Sequence, residues 1–179
     1  IDPVRFIGNY SSGKMGLAIA EELAGRGAEV VLVCGPVNLK THHPAIRRVD
    51  VESAAQMYEA TSREFANSDV AILSAAVADF TPKEKADHKI KRGKDDLVLE
   101  LLPTKDIAAE LGKMKNASQL LVGFALETND EEVNALSKMQ RKNLDMIVLN
   151  SLNDKGAGFG VDTNKVTIMD KAGNRTVYE

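Results

Sequence analysis

Apolar positions along this chain follow two alternating rhythms. In residues 12–26, Met15, Ile19 and Leu23 recur every fourth position with Ala18, Ala20 and Ala24 beside them, the stripe of an amphipathic helix. Gly27 follows, a residue suited to the left-handed turn that ends helices. Glu29 to Val33 is a nearly continuous apolar run, as expected of a strand covered on both faces, and Cys34-Gly35-Pro36 closes it. Ile46 to Val51 predicts a weaker strand, and residues 52–66 a helix with Ala55, Met57, Tyr58 and Phe65 as its apolar members. Asp69 to Ala76 predicts a third strand, running out through Ser74-Ala75-Ala76-Val77-Ala78-Asp79-Phe80. Further on, Leu97 to Leu102 places Leu97, Leu99 and Leu101 on one face of a strand. Thr104 or Asp106 starts a helix over 105–114 with Ile107, Leu111 and Met114 inward. Leu120 to Leu126 is a strand, 130–142 a helix, and Asp145 to Leu149 the last buried strand. Val166 to Met169 and Thr176 to Tyr178 flank the turn Lys171-Ala172-Gly173-Asn174 as a hairpin. Strands alternating with helices across short connections predict an α/β fold, a mostly parallel sheet with helices on both faces.

Three stretches interrupt this rhythm. The opening loop, Gly8 to Gly16, runs into the first helix. Ser11 or Ser12 can cap that helix, and the unpaired N–H groups of a helix start attract anions. Gly8 to Lys14 fits the front of a triphosphate-binding loop, G-x-x-x-x-G-K. Met15 then stands where that loop needs a hydroxyl for magnesium, so the match is refused. Residues 81–96 are the most polar part of the chain and carry Lys83, Lys85, Lys89, Lys91, Arg92 and Lys94. They read as a solvated charged loop or as a flap that meets a polyphosphate, with Ile90 alternating with Lys89 and Lys91 as in an edge strand. Residues 151–163 hold Gly156, Gly158 and Gly160, which suit close approach of a ligand or simple loop flexibility. Small residues at 74–78 lie where a strand delivers the chain to its C-terminal edge, the ligand-binding edge of open α/β sheets. There Asp79 reads equally as a ribose or metal ligand and as a turn residue. His42 and His43 have no Cys or acidic partner at metal spacing.

Composition narrows the classes. The chain has 179 residues, 44% hydrophobic and 27% charged, enough for one domain with a sizeable core. A net charge of −3 gives no overall bias toward nucleic acid or an anionic membrane. Aromatics are 4% and Trp is absent, which disfavours a base-stacking platform. No apolar run reaches the length of a membrane span. A single cysteine, Cys34, makes no internal disulfide, which predicts a reducing, cytoplasmic setting.

Taken together, several stretches resemble the phosphopantothenoylcysteine synthetase domain of coenzyme A biosynthesis, in the form usually fused behind a phosphopantothenoylcysteine decarboxylase. They are Asp2-Pro3-Val4-Arg5, Asn9, Ser11 to Gly16, Ala75 to Phe80, Lys89-Ile90-Lys91, Gly123 to Thr128, and Lys142-Asn143-Leu144-Asp145 to Asn150, in the family's order along the whole chain. The resemblance implies a Rossmann-like sheet with a β-flap and hairpin extension. It implies a single ligase domain over residues 1–179, without the family's Gly/Thr-rich first strand and C-terminal helix. It implies that the carboxylate of 4′-phosphopantothenate attacks the α-phosphate of CTP with Mg2+ assistance. The amine of L-cysteine then takes the acyl group from the acyl-cytidylate. Ser74, Ala75, Asp79, Lys89, Lys105, Asp106, Ile107, Ala108, Phe124, Lys138 and Lys142 match nucleotide-binding positions. Asn9 matches a residue tied to acyl-cytidylate turnover, with Arg5 and Lys89 on the active-site segments. Ser11, Ser12, Gly13 and Lys14 are left as the anion site for the phosphate of phosphopantothenate. The family also implies a homodimer, and no flavin in this portion.

Two other functions compete. A nicotinamide-dependent oxidoreductase needs an acidic residue after Val33 to read a ribose, and Cys34-Gly35-Pro36 offers none. A non-catalytic nucleotide-binding or dimerisation module is the third.

Overall fold

The computed structural model describes residues 1–93, 95–127, 129–151 and 164–178. The Gly-rich stretch at 152–163, Lys94 and Thr128 lie outside them. In chain order the elements are α1 (Lys14–Gly25), β1 (Val30–Cys34), β2 (Ile46–Asp50), α2 (Ala54–Phe65), β3 (Val70–Leu73), β4 (Phe80–Pro82), β5 (Leu101–Pro103), α3 (Ile107–Met114), β6 (Leu120–Glu127), α4 (Glu131–Arg141), β7 (Met146–Ser151), β8 (Val166–Asp170) and β9 (Arg175–Tyr178).

The alternation of strands and helices is an α/β fold, as the periodicity predicts. The main sheet runs β3-β6-β7-β8-β9. Its first three strands are parallel, with Leu73 opposite Gly123 and Phe124 opposite Val148. The β8–β9 hairpin adds two antiparallel strands at the far edge. Strands β1 and β2 form a separate parallel pair, Val30 opposite Ile46, where the pattern alone predicts one continuous sheet. Strands β4 and β5 make a short antiparallel arm, Phe80 opposite Pro103.

The core sits where α3 and α4 cover β6 and β7. Leu111, Leu121, Leu144 and Ile147 are fully buried, with Phe65, Ala135, Met139 and Met169 around them. Each such aliphatic side chain contributes about 1.5–3 kcal/mol through removal from water. Gly112 is what lets α3 approach this closely: a Cβ there would lie 1.9 Å from the Lys142 carbonyl oxygen. The Asn143 side chain then donates to the Gly112 carbonyl (2.8 Å) from a left-handed turn at φ 51°.

The structure differs from the pattern in several places. No side chain caps α1: Gly13, with φ 77°, is its N-cap, not Ser11 or Ser12. Ser12 Oγ only accepts a long 3.4 Å hydrogen bond from the Lys14 N–H. Strand 97–102 shrinks to Leu101–Pro103, and Leu97 and Val98 are exposed. Residues 89–91 are not a strand. Met114 points to solvent and Gly112 takes the inward place. In α2 the buried alanine is Ala60, with Ala55 exposed. These misplacements share a cause: periodicity assigns a face, but the neighbouring element decides which part of that face is covered.

Candidate nucleotide-binding edge

Strands β3 and β6 run parallel, so their C-terminal ends lie on the same edge of the sheet. From β3 the chain leaves through Ser74 to Asp79. Three backbone carbonyls of this loop are held from outside it. The Ala76 carbonyl accepts from Asn9 Nδ2 (2.9 Å). The Ala78 and Asp79 carbonyls accept from the Thr104 hydroxyl and N–H, both 2.8 Å. Ala75 and Asp79 stay exposed. Gly16 of α1 sits so close to the loop that a Cβ there would lie 3.0 Å from Ser74 Oγ. Small residues are therefore needed on both sides of that contact.

Thr104 leads directly into α3. Asp106 is its N-cap and accepts the Ala109 N–H at 3.1 Å. The first-turn N–H groups of Ile107 and Ala108 have no acceptor within a helix start, which suits an anion. The Ile107 side chain is buried, so this residue can offer a ligand only its backbone. Lys105 lies over the Tyr58 ring, 4.2 Å from its centroid. That cation–π contact fixes a flexible lysine at the edge.

Helix α4 completes the edge. Lys138 lies in its last turn and Lys142 at its C-cap, four positions apart as the spacing predicts. Lys138 Nζ donates to the Phe124 carbonyl at 2.9 Å, and Lys142 pairs with Asp106 at 2.8 Å. Burial pushes the Asp106 carboxyl up. The hydrogen bond from Lys142, the Ala109 N–H and the charges of Lys142 and Lys138 outweigh it, and Asp106 stays below the ordinary aspartate value. The structure thus gathers 74–79, 104–108, Phe124, Lys138 and Lys142 along linked elements.

The remaining candidates are arranged differently. Asn9 reaches the edge through Ala76. Arg5 does not: its guanidinium is paired with buried Asp2 and donates to the Ile90 carbonyl at 2.8 Å. Lys89 is exposed, and no hydrogen bond or ion pair holds its ammonium among the described residues. The two polar backbone groups of Ile90 face Asp2 and Arg5, so side chains take the place of the expected edge-strand ladder. Ser11 to Lys14 form the uncapped start of α1. Among the described residues, no three His, Cys, Asp or Glu side chains converge on a metal position. The carboxylates at this edge are Asp79 and Asp106, and a magnesium ion carried on substrate phosphates needs no more than one or two such groups.

Sequence reasoning gave no site role to Asp2, Thr104, Tyr58 or Gly112. Two had a signal. Asp-Pro-x-Arg is a turn in which an aspartate accepts nearby N–H groups, and a glycine inside a helix marks close approach.

Residues 1–179 match the family described as DNA/pantothenate metabolism flavoprotein C-terminal domain. The chain is 62% identical, along its full length, to a cysteine/cysteine sulfinic acid decarboxylase from an unidentified prokaryote, and covers 50% of that protein. It is 50% identical over 98% of its length to the coenzyme A biosynthesis bifunctional protein CoaBC of Bacillus subtilis (strain 168), covering 43% of it. The chain thus spans about half the length of the curated relatives it matches. A crystal structure of the C-terminal domain of a coenzyme A biosynthesis bifunctional protein CoaBC superposes with a TM-score of 0.82 at 45% identity, over 100% of this chain and 79% of that one. With its α/β fold, its lysine-bearing edge and a match along its whole length, this chain belongs to the DNA/pantothenate metabolism flavoprotein C-terminal domain family.

Proposed function

We propose that this chain is the ligase portion of a coenzyme A biosynthesis protein, joining 4′-phosphopantothenate to L-cysteine at the expense of CTP. One observation carries the reading: the loop 74–79 is tied to Thr104 at the approach to α3, Lys142 is paired with Asp106 at the start of α3, and Lys138 reaches Phe124 beside the end of β3, an arrangement that suits a nucleotide. The chemistry balances in two steps. A phosphopantothenate carboxylate oxygen bonds to the α-phosphorus of CTP, and the bond to the bridging oxygen breaks, releasing pyrophosphate. The amine of cysteine then bonds to the acyl carbon, loses a proton, and CMP leaves. Lys138, Lys142 and Lys89 would neutralise the charge that grows on the leaving pyrophosphate. Asn9 would serve the second step beside the strand exit. Ser11 to Lys14, at the uncapped start of α1, would take the phosphate of phosphopantothenate.

A magnesium ion would arrive on the triphosphate oxygens. Phe6, Tyr10, Phe80, Leu97 and Val98 are exposed large apolar side chains, and a second copy of the chain in a homodimer would cover some of them. The flavin-dependent decarboxylase would occupy the other half of the full-length protein. No helix of the described residues is long and apolar enough to cross a membrane, and a cytoplasmic setting accords with this chemistry.

The test is pyrophosphate release by the full-length protein with phosphopantothenate, cysteine and each nucleoside triphosphate in turn. Release that requires both CTP and the acid is the expected result. No release with any nucleotide, together with NADPH binding by calorimetry, overturns the reading in favour of an oxidoreductase.

A further inference from the structure

The segment Ile1 to Asn9 ties together two parts of the molecule that are distant in sequence. At one end it is joined to residues 86–90. The Ala86 N–H donates to the Ile1 carbonyl at 3.0 Å, and Arg5 Nη2 donates to the Ile90 carbonyl at 2.8 Å. At the other end Asn9 donates to the Ala76 carbonyl on the nucleotide edge. Asp2 is the joint. It is 5% exposed, one of two buried polar residues among those described, while its neighbours from Pro3 to Tyr10 are exposed. Its Oδ1 accepts the N–H groups of Val4 and Arg5, both 2.9 Å. Its Oδ2 accepts the Ile90 N–H at 3.1 Å and the Arg5 guanidinium, with Nε at 3.0 Å.

A carboxylate has about four lone-pair directions, and these donors occupy both oxygens. A neutral amide could not do the same, because one of its two heads is itself a donor. The Arg5 guanidinium, followed by burial and the N–H groups of Val4, Ile90 and Arg5, leaves the Asp2 carboxyl net well below the usual carboxylate range.

We propose that Asp2 is a positioning residue for Lys89: by clamping Ile90 to the segment that carries Asn9, it sets the flap lysine against the nucleotide edge. This rests on the reading of Lys89 as a triphosphate-binding lysine. Asp2 itself touches no substrate.

The test compares Asp2→Asn, Lys89→Gln and the double variant in the full-length protein. Asp2→Asn is expected to raise the KM for CTP about tenfold, the equivalent of one charge-assisted hydrogen bond. The KM for cysteine should stay within about twofold, a split that a purely structural role would not produce. In the Lys89→Gln background, Asp2→Asn should add less than about twofold, because the group it positions is gone. Multiplying effects, or no effect of Asp2→Asn on the CTP KM, overturn the proposal. If Lys89→Gln alone leaves the CTP KM unchanged, the reading of the flap lysine fails and the proposal falls with it.

A second measurement needs no variant. Hydrogen exchange of the unmodified protein should show CTP slowing the Ile90 amide and the Val4 and Arg5 amides together. Protection of Ile90 with Val4 and Arg5 unchanged also overturns the clamp.

Discussion

Two regions carry the basic side chains proposed to meet the same triphosphate, and they are held in opposite ways. Lys138 and Lys142 stand on α4, which rests on the parallel strands β6 and β7 and is locked to α3. Gly112 meets the Lys142 carbonyl, Asn143 binds Gly112, and Leu144 is fully buried beneath. Lys89 sits in a segment anchored by a short two-stranded arm and by the Asp2 and Arg5 contacts to Ile90. Around it the chain buries almost nothing: residues 83–93 are exposed apart from Ala86 and Ile90, which are half-buried. A region held by core packing opens only at a cost near that of global unfolding. A region held by a few polar contacts opens locally. The first suits orientation of a ligand, and the second suits a cover that must admit it.

The sharpest way to break this contrast is at Gly112. Gly112→Ala should cost about 3 kcal/mol or more in urea unfolding, because the new Cβ meets backbone that cannot turn aside. Loss of less than about 1 kcal/mol would show that the α3–α4 lock is loose. Next in size is Lys142→Met, which should lower kcat/KM for CTP about 10- to 100-fold, as expected for a charged hydrogen bond. Its unfolding midpoint should move little. A large fall in stability with unchanged kinetics would make Lys142 a structural partner of Asp106 instead. Lys89→Gln should weaken CTP use about tenfold with no change in unfolding, since the side chain is exposed. Unchanged kinetics would remove the flap from the mechanism.

The smallest effect belongs to Asp106→Asn. Asparagine caps a helix about as well as aspartate, and the pair with Lys142 is half solvated, so the loss should be about 1 kcal/mol or less. Its pH dependence has a definite sign. The folded-state pKa of Asp106 is depressed, so its contribution is full above the ordinary aspartate value near 3.9 and fades as pH falls through the lowered one. The stability difference between Asp106→Asn and the parent should therefore be flat above about pH 5 and vanish only in stronger acid. A difference that changes between pH 6 and 8 would assign it to another group.

How much of this was legible beforehand can be judged from single residues. Lys138 and Lys142 share a face by helical spacing alone, and the structure keeps them there. Small residues after β3 mark the strand exit in the sequence and in the fold. Arg5, matched by the resemblance to an active-site segment, is different: its guanidinium rests on Asp2 and the Ile90 carbonyl, partners that spacing could not name. Ile90 alternates with lysines as an edge strand would, but its N–H and carbonyl find side chains, and no ladder forms. Serines before α1 look like caps, and a left-handed glycine takes that place. In each case the local pattern counts the polar groups correctly and cannot say which distant atom answers them.

By itself the sequence determined the order and type of most elements, because helix and strand periods are set within a few residues of chain. It also determined the family resemblance, which depends on residue identity at fixed spacing. Tertiary structure decided the rest. It split the predicted sheet into β1–β2 and the five-stranded sheet, exposed Met114 while burying Gly112, and gave Lys142 a counter-ion 36 residues away. It also made Asp2 the joint between chain start and flap, across 88 residues. Contacts at such separations depend on where whole elements come to rest, and no local rule of spacing contains that information.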